Sequence, residues 1–163
     1  MAKGVNAFAE KTGCFPVLLG MESLDEKACK ALRAGLRKDG AVFLSGNTDA
    51  GIMTGILRSL SFLVTSRYHA AVLGMEGGCP VIAVSMDERL DGLMRELFPD
   101  DRYLFHVSDS DLGEKMYKAL EEAEKNSVEI SKRITGSLKG YRNILENMGG
   151  FMKRYIEKGI DRA

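Results

Sequence analysis

The chain has 163 residues, of which 45% are apolar and 28% are charged, and its 23 basic residues balance its 23 acidic ones. This is the length of one ordinary domain with a single core, and the zero net charge excludes a strong global attraction to nucleic acid or to a membrane surface. The sequence has no apolar run of about 20 residues that could cross a bilayer and no basic-then-apolar leader, so we expect a cytoplasmic protein that binds no nucleic acid and is not an integral membrane protein.

The amino-terminal segment, residues 1–12, has the pattern of a helix, and an apolar run follows it at once. In a regular β-α series, a strand would precede that helix. We therefore expect the first strand of the domain to be absent from this chain, and a longer natural polypeptide to supply it.

Five short apolar runs alternate with helical patterns in the first two thirds of the chain. They are FPVLL (15–19), AVFLS (41–45), FLVTS (62–66), PVIAVS (80–85) and YLFHV (103–107). None alternates between apolar and polar residues, and continuous apolar character is typical of parallel strands that are covered on both faces. We predict a Rossmann-like, doubly wound α/β domain over residues 1–125, with a mainly parallel sheet of about five strands and helices on both faces.

The segments between these runs carry helix signals. Ser23 or Asp25 can cap a helix that ends at Gly40, and the Asn-Thr-Asp sequence at 47–49 offers capping oxygens to a helix over residues 50–60. Both segments therefore predict helices that join one strand to the next.

The last third of the chain has a helical pattern throughout. Apolar residues recur at helical spacing from Ser110 to about Lys125, and again through Met148, with a break near Asn126. We predict a helical extension over residues 126–163 that packs on the domain or on a partner domain.

The three cysteines, Cys14, Cys29 and Cys79, are odd in number and lie far apart in the sequence. No two of them have the C-x-x-C spacing of many metal and redox sites. They therefore predict reduced thiols, and neither a disulfide framework nor a zinc site.

Polar residues follow three of the predicted strands, in SGNTDAG after residue 44, TSRYH after residue 64 and SMDERLDG after residue 84. Ligands of open parallel sheets bind beyond the carboxyl ends of the strands. Only TSRYH combines a fixed cation with a titratable base, so it is the first candidate for a site.

Ser66, Arg67 and His69 of TSRYH have the groups that an anionic ligand requires. Ser66 can donate a hydrogen bond, Arg67 can hold a phosphate or carboxylate at two points, and free N–H groups at a helix start attract negative charge. His69 can exchange a proton near neutral pH. Arg67 and His69 point to the same side only in an extended turn, so a site here requires the helix to begin no earlier than about Tyr68. The alternative is that both residues only cap the junction.

Asp87 and Arg89 lie in the charged loop after the fourth predicted strand. Carboxylates at helix starts are common caps and partners of the helix dipole, so a structural role fits Asp87. Arg89 is expected near the same sheet edge as Arg67, where it could support anion binding.

The segment from Phe62 to Phe98 resembles the polysaccharide pyruvyl transferase family. Members of that family carry an Arg-apolar-His element at a strand end, a helix, a Gly-x-Pro entry into an apolar strand, and a loop with an aspartate and a basic residue. Here these elements are RYH (67–69), GCP (78–80), VIAVS (81–85) and Asp87 with Arg89. The chain departs from the family where members usually have lysine, at Arg89, and where they usually have an aromatic residue, at Met86.

The resemblance implies half of a two-domain, GT-B-like enzyme that transfers a pyruvyl group from phosphoenolpyruvate to sugar hydroxyls. The product is a ketal on a cell-surface polysaccharide or its precursor, which is a step of exopolysaccharide or cell wall biogenesis in the cytoplasm, at the membrane periphery if the acceptor is lipid-linked. By resemblance, His69 is the general acid, Arg67 binds the donor's phosphate or carboxylate, and Arg89 supports that binding. Ser66 and Asp87 complete the expected set of substrate-binding residues. The scheme needs no metal and no cofactor besides the donor, and it expects the missing amino-terminal domain or a second copy to complete the cleft.

Two other functions fit the same residues. One is a GT-B-type glycosyltransferase or UDP-sugar epimerase that holds a nucleotide diphosphate between residues 66–69 and 87–92. The other is a non-catalytic binding or assembly module that uses the C-terminal helices. Fold alone does not separate these functions. A cleft that Arg67 and His69 both border favours an enzyme, and a His69 buried in apolar packing favours the module.

Overall fold

The computed structural model describes residues 1–160, with side chains through residue 155. Residues 161–163 of the predicted extension lie outside the described residues. The helices within that range are α1 (Ala2–Thr12), α2 (Asp25–Gly35), α3 (Ala50–Ser59), α4 (Tyr68–Glu76), α5 (Glu88–Leu97), α6 (Leu112–Lys125) and α7 (Ser127–Ile160). The strands are β1 (Val17–Gly20), β2 (Ala41–Leu44), β3 (Leu63–Thr65), β4 (Val81–Ser85) and β5 (Leu104–His106).

All five apolar runs form strands, and every strand pair is parallel. They form two small sheets, one in the order β1-β2 and one in the order β3-β4-β5. The prediction of an α/β fold with parallel strands is therefore confirmed, but the prediction of one sheet of about five strands is not. The sheet is interrupted because β1 and β3 are not hydrogen-bonded to each other and line a cavity that is described below.

The core is centred on β4, whose five residues are all buried. The helices α4, α5 and α6 contact this strand; α4 also contacts α3 and α5, whereas α6 packs against α1. Since β4 is buried on both faces, these two groups of helices cover opposite sides of it. The run of β4 is apolar throughout because helices cover both faces of the strand, as the sequence pattern predicted.

The start of α3 follows from a capping carboxylate. Asp49 accepts hydrogen bonds from the backbone N–H groups of Gly51 and Ile52, at 2.7 and 3.3 Å, and so begins α3 as the capping signal predicts. The predicted end of α2 at Gly40 is wrong, because the helix stops at Gly35 and the next residue is extended.

The C-terminal helices break where the sequence indicated, since α6 ends before Asn126 and α7 begins after it. Ile130 and Ile134 of α7 are buried in the core. From Tyr141 onward, an apolar stripe is exposed. Its members are Tyr141, Ile144, Leu145, Met148, Phe151, Met152 and Tyr155. No helix among the described residues is long and apolar enough to cross a membrane.

A close backbone approach at Gly77, just after α4, gives the first testable prediction. A Cβ atom at this position would lie 2.1 Å from the carbonyl oxygen of Arg58, so Gly77→Ala is expected to lower the free energy of unfolding by about 1–3 kcal/mol. Gly136→Ala is the matched control, because nothing lies near that exposed helical glycine and alanine is expected to stabilise it by about 0.5–1 kcal/mol. Urea denaturation measures both changes, and equal shifts in the two variants would refute the close approach.

Candidate functional site

The carboxyl ends of β3 and β4 lie side by side, because these strands are parallel neighbours with Thr65 opposite Ala83. Ser66 and Arg67 follow β3 directly, and Asp87 follows β4. The helix α4 begins at Tyr68, and Arg67 before it is extended, with φ −106° and ψ 121°. A site at this junction requires the helix to begin no earlier than about Tyr68, and the structure meets this requirement.

The side chain of Arg67 is held by two carboxylates. Its guanidinium lies 2.5 Å from Asp25 Oδ1 and 3.1 Å from Glu22 Oε2, and its backbone N–H donates to Thr65 Oγ1 at 3.0 Å. The hydrogen bond to Asp25 raises the pKa of Arg67 further, so its charge is permanent. This residue thus links the end of β3 to the loop between β1 and α2.

Asp25 is the more enclosed of the two carboxylates, with 20% of its side chain exposed against 56% for Glu22. Burial opposes its ionisation and is the largest influence, but hydrogen bonds from Arg67 and from the N–H groups of Glu22 and Met21 outweigh burial, and the pKa of Asp25 is lowered. We therefore read Asp25 as the residue that fixes Arg67, and Glu22 as the more exchangeable partner.

The lowered pKa of Asp25 makes a prediction about pH. Its interactions stabilise the fold at pH values above the pKa of this carboxyl in the unfolded chain, which is about 4. This contribution is lost as the pH falls through the lower pKa of the folded state. Asp25→Asn should therefore lower the free energy of unfolding by about 1–2 kcal/mol at pH 7, and by much less at pH 2. Denaturation of both proteins at the two pH values tests this. The control Asp39→Asn removes a fully exposed carboxylate and should change little at either pH; a loss for Asp25→Asn that is equal at both pH values would refute the assignment.

A second cluster contains Tyr68, His69, Asp87 and Arg89. Asp87 accepts hydrogen bonds from the Arg89 side chain, at 2.5 Å for Nη2, and from its backbone N–H at 2.8 Å. The Arg89 guanidinium lies 5.5 Å from the centre of the Tyr68 ring, and that ring meets the His69 ring edge-on at 5.5 Å. The pKa of Asp87 is lowered, first by the hydrogen bond to Arg89 and also, more weakly, by the charge of His69. His69, Asp87 and Arg89 are therefore near neighbours.

The two clusters are separate in this structure. Arg67 turns toward α2, while His69 is exposed and lies on the side of Arg89. Among the described residues, no hydrogen bond or ion pair joins Arg67 to His69 or to Arg89. The predicted site residues thus share one sheet edge, but their side chains face two directions.

A cavity of about 680 Å³ lies between the two sheets. The strands β1 and β3 form its two edges, residues of α1, α2 and α6 line one side, and residues of α3 and α4 line the other. Its lining is mostly apolar, and Ser66, Arg67, Thr65 and Asp25 form its polar end. Arg67 borders this cavity but His69 is not among its lining residues, so this cavity is not the cleft that both side chains were expected to border.

The cysteines are free thiols, as the sequence predicted. Burial raises the pKa of Cys79 to about 12 and also raises that of Cys29, with the charge of Asp25 adding to the effect at Cys29. Neither buried thiol is ionised at neutral pH, so neither is a ready nucleophile.

Sequence reasoning missed the carboxylates that hold Arg67. Glu22 and Asp25 follow β1 in the sequence GMESLDE, so they stand at the carboxyl end of a predicted strand like the residues that were singled out. The sequence pattern predicts only a helix cap for Asp25. The ring of Tyr68 was missed as well, because the apolar position of the Arg-apolar-His element gave no reason to expect contact with Arg89.

Comparison of the chain with protein-family models, with curated proteins and with solved structures gave no match.

Proposed function

We propose that this chain is the donor-binding half of a pyruvyl transferase, which transfers the pyruvyl group of phosphoenolpyruvate to two hydroxyls of a sugar. One observation carries the proposal: a fixed arginine just before α4, an exposed histidine two residues later and a second arginine from the neighbouring strand end all lie along one sheet edge, although their side chains form two separate clusters. Phosphoenolpyruvate is a small trianion that must be protonated during the reaction. These residues offer it two cations and one proton donor.

Arg67 would bind the donor. Its partner Glu22 is more than half exposed, so an incoming phosphate or carboxylate can replace it at little cost, while Asp25 keeps the guanidinium in place. The first N–H groups of α4 lie beside Arg67 and lack carbonyl partners in their own helix, which favours an anion at this point. Ser66 adds a hydroxyl to the same corner.

Arg89 and His69 would act on the other side of the donor. Asp87 holds Arg89 through its carboxylate, and Tyr68 lies under the guanidinium, so this cation has a defined position although it is exposed. The same carboxylate lies near His69 and provides a countercharge when the imidazole carries a proton. We assign His69 as the general acid, and Asp87 and Arg89 as supporting residues.

The proposed reaction begins when His69 gives its proton to the methylene carbon of phosphoenolpyruvate. That carbon becomes a methyl group, and the neighbouring carbon gains oxocarbenium character. One sugar hydroxyl adds to this centre and loses its proton; the bond to the phosphate oxygen then breaks, phosphate leaves with the electron pair, and a second hydroxyl closes the ketal. Two hydroxyl protons are released, of which one restores His69 and the other leaves with phosphate. Proton donation of this kind contributes about 10²- to 10⁴-fold to the rate.

Because the chain is half of the proposed cleft, the test incubates it at a concentration high enough for a second copy to complete the cleft, with phosphoenolpyruvate and a set of saccharides that carry neighbouring free hydroxyls. We expect phosphate release that depends on the saccharide, together with a ketal product in equal amount, measured by a phosphate assay and by mass spectrometry. Phosphate release without any saccharide would indicate a phosphatase instead and would contradict pyruvyl transfer. A pyruvyl ester or enol ether in place of the ketal would contradict the second hydroxyl step.

An assembly function has one supporting observation, which is the exposed apolar stripe of α7 that begins at Tyr141. Such a stripe at helical spacing is typical of a helix that packs on another helix. If a second copy of the chain is its partner, the chain will sediment as a dimer, and Leu145→Glu with Phe151→Glu will convert the dimer to a monomer. A wild-type chain that stays monomeric at high concentration would remove this support.

A further inference from the structure

The cavity between β1 and β3 has the shape of a vacant strand position. Strands lie on both of its edges, and helices cover both of its faces, α1, α2 and α6 on one side and α3 and α4 on the other. In a doubly wound sheet, a central strand likewise has a strand on each side and helices over each face.

The backbone of both edges has hydrogen-bonding groups that face the cavity. In β1, the carbonyls of Pro16 and Gly20 accept from β2, so the alternation of a parallel ladder turns the N–H and C=O groups of Val17 and Leu19 to the other side. In β3, Leu63 donates to Pro80 next to β4, so the groups of Val64 face away from β4 in the same manner. Val17, Leu19 and Val64 all line the cavity. Polar backbone groups that face an apolar space are costly unless a partner satisfies them.

The connection of α1 fixes where an added strand would come from. The end of α1 leads into β1, and Met1 at its start lies beside Gly113 near the start of α6, at the carboxyl edge of the sheet. A strand that enters α1 at this edge and lies next to β1 makes a right-handed β-α-β unit, which is the form that such crossovers almost always take. The sheet order then becomes β2-β1-new-β3-β4-β5, which is the 3-2-1-4-5-6 order of a Rossmann sheet when the strands are numbered along the chain.

We propose that this cavity is the place of a central strand that the described residues do not supply: an extended, apolar segment, parallel to β1 and β3, that leads into the amino end of α1. A strand inside a sheet occupies about 160 Å³ per residue, from its rise, its spacing and the distance between layers. The cavity of about 680 Å³ therefore holds at least four residues, the length of β1. The segment is apolar on both faces because both walls are, and its carboxyl end lies beside Ser66 and Arg67. This inference rests on the walls of the cavity and does not depend on the proposed function.

Amide hydrogen exchange of the chain alone gives the first test. The amides of Val17, Leu19 and Val64 are expected to exchange at least about tenfold faster than the amides of Leu18 and Thr65, whose partners are in β2 and β4. Protection of these three amides to the level of Leu18 and Thr65 in the chain alone would overturn the inference.

The second test adds a strand to the chain. A probe of five valine and isoleucine residues, joined by a short Gly-Asn-Gly loop to Met1, should slow exchange of the same three amides by at least about tenfold and raise the thermal midpoint by more than about 5 °C. The matched control has proline at the second and fourth positions of the probe, since proline lacks the N–H that both edges require. Equal effects of probe and control would overturn the inference. A third measurement adds decanoate, a small apolar ligand, to the chain alone. If decanoate slows amide exchange and raises the thermal midpoint but the probe strand does not, the cavity is a pocket for a small apolar ligand and the inference is overturned.

Discussion

His69→Ala is expected to slow ketal formation from phosphoenolpyruvate by about 10²- to 10⁴-fold, because it removes the group that protonates the methylene carbon. The affinity for phosphoenolpyruvate should change little, since the arginines and the start of α4 bind the donor. His69 is exposed, so the variant is expected to fold with normal stability. Steady-state rates of phosphate release, together with a binding titration, separate the two effects.

The control for this variant is His106→Ala, which removes the chain's other histidine from the end of β5. It should leave the rate of ketal formation close to that of the wild type. His69→Gln keeps a polar side chain but cannot donate a proton as an acid, and it should be as slow as His69→Ala. A His69→Gln rate near that of the wild type would show that the residue positions the donor and is not the acid.

Arg67→Met has the second largest expected effect, a loss of affinity for phosphoenolpyruvate of about 10- to 100-fold, because charged hydrogen bonds to the donor are removed. The substitution also leaves Asp25 without its partner in a partly buried place, so the fold would lose stability for a separate reason. The double variant Asp25→Asn with Arg67→Met removes both charges together, and we expect it to fold more stably than Arg67→Met while it binds the donor equally weakly. Calorimetric titration measures the affinity of each variant.

Arg95→Met provides the matched control for charge, since Arg95 is an exposed arginine on α5 that pairs with Asp101. It should leave donor affinity unchanged. If both arginine variants weaken binding equally, the effect is a general one of net charge, and Arg67 is not a specific ligand.

Local sequence patterns were sufficient to predict the elements of the fold. The continuously apolar runs FPVLL and PVIAVS supplied most of the parallel strands β1 and β4, and the carboxylate of Asp49 began α3. What these patterns do not contain is which strands pair, because pairing depends on groups from distant segments. The gap between β1 and β3 is of this kind, because neither apolar run indicates that these two strands stay unpaired with each other.

The candidate site was predictable in its position but not in its contacts. The sequence has a strand, then Arg67, then the start of a helix, and this order places the cation at the carboxyl edge of the sheet. An extended Arg67 and a helix that begins at Tyr68 both follow from local geometry. The pairing of Arg67 with Asp25 joins residues 42 positions apart, and no periodicity predicts a contact across two different sheets. The direction in which each side chain turns is therefore a property of the packed structure.

The most direct test of the proposed function is a binding titration of the chain with phosphoenolpyruvate and, separately, with UDP-glucose. The sheet edge at the start of α4 is proposed to hold a small anion with one phosphate and one carboxylate, with Arg67 and Arg89 as its cations. We predict saturable binding of phosphoenolpyruvate that Arg67→Met weakens, and no saturable binding of UDP-glucose. Saturable binding of UDP-glucose without binding of phosphoenolpyruvate would contradict pyruvyl transfer and would indicate a nucleotide-sugar enzyme.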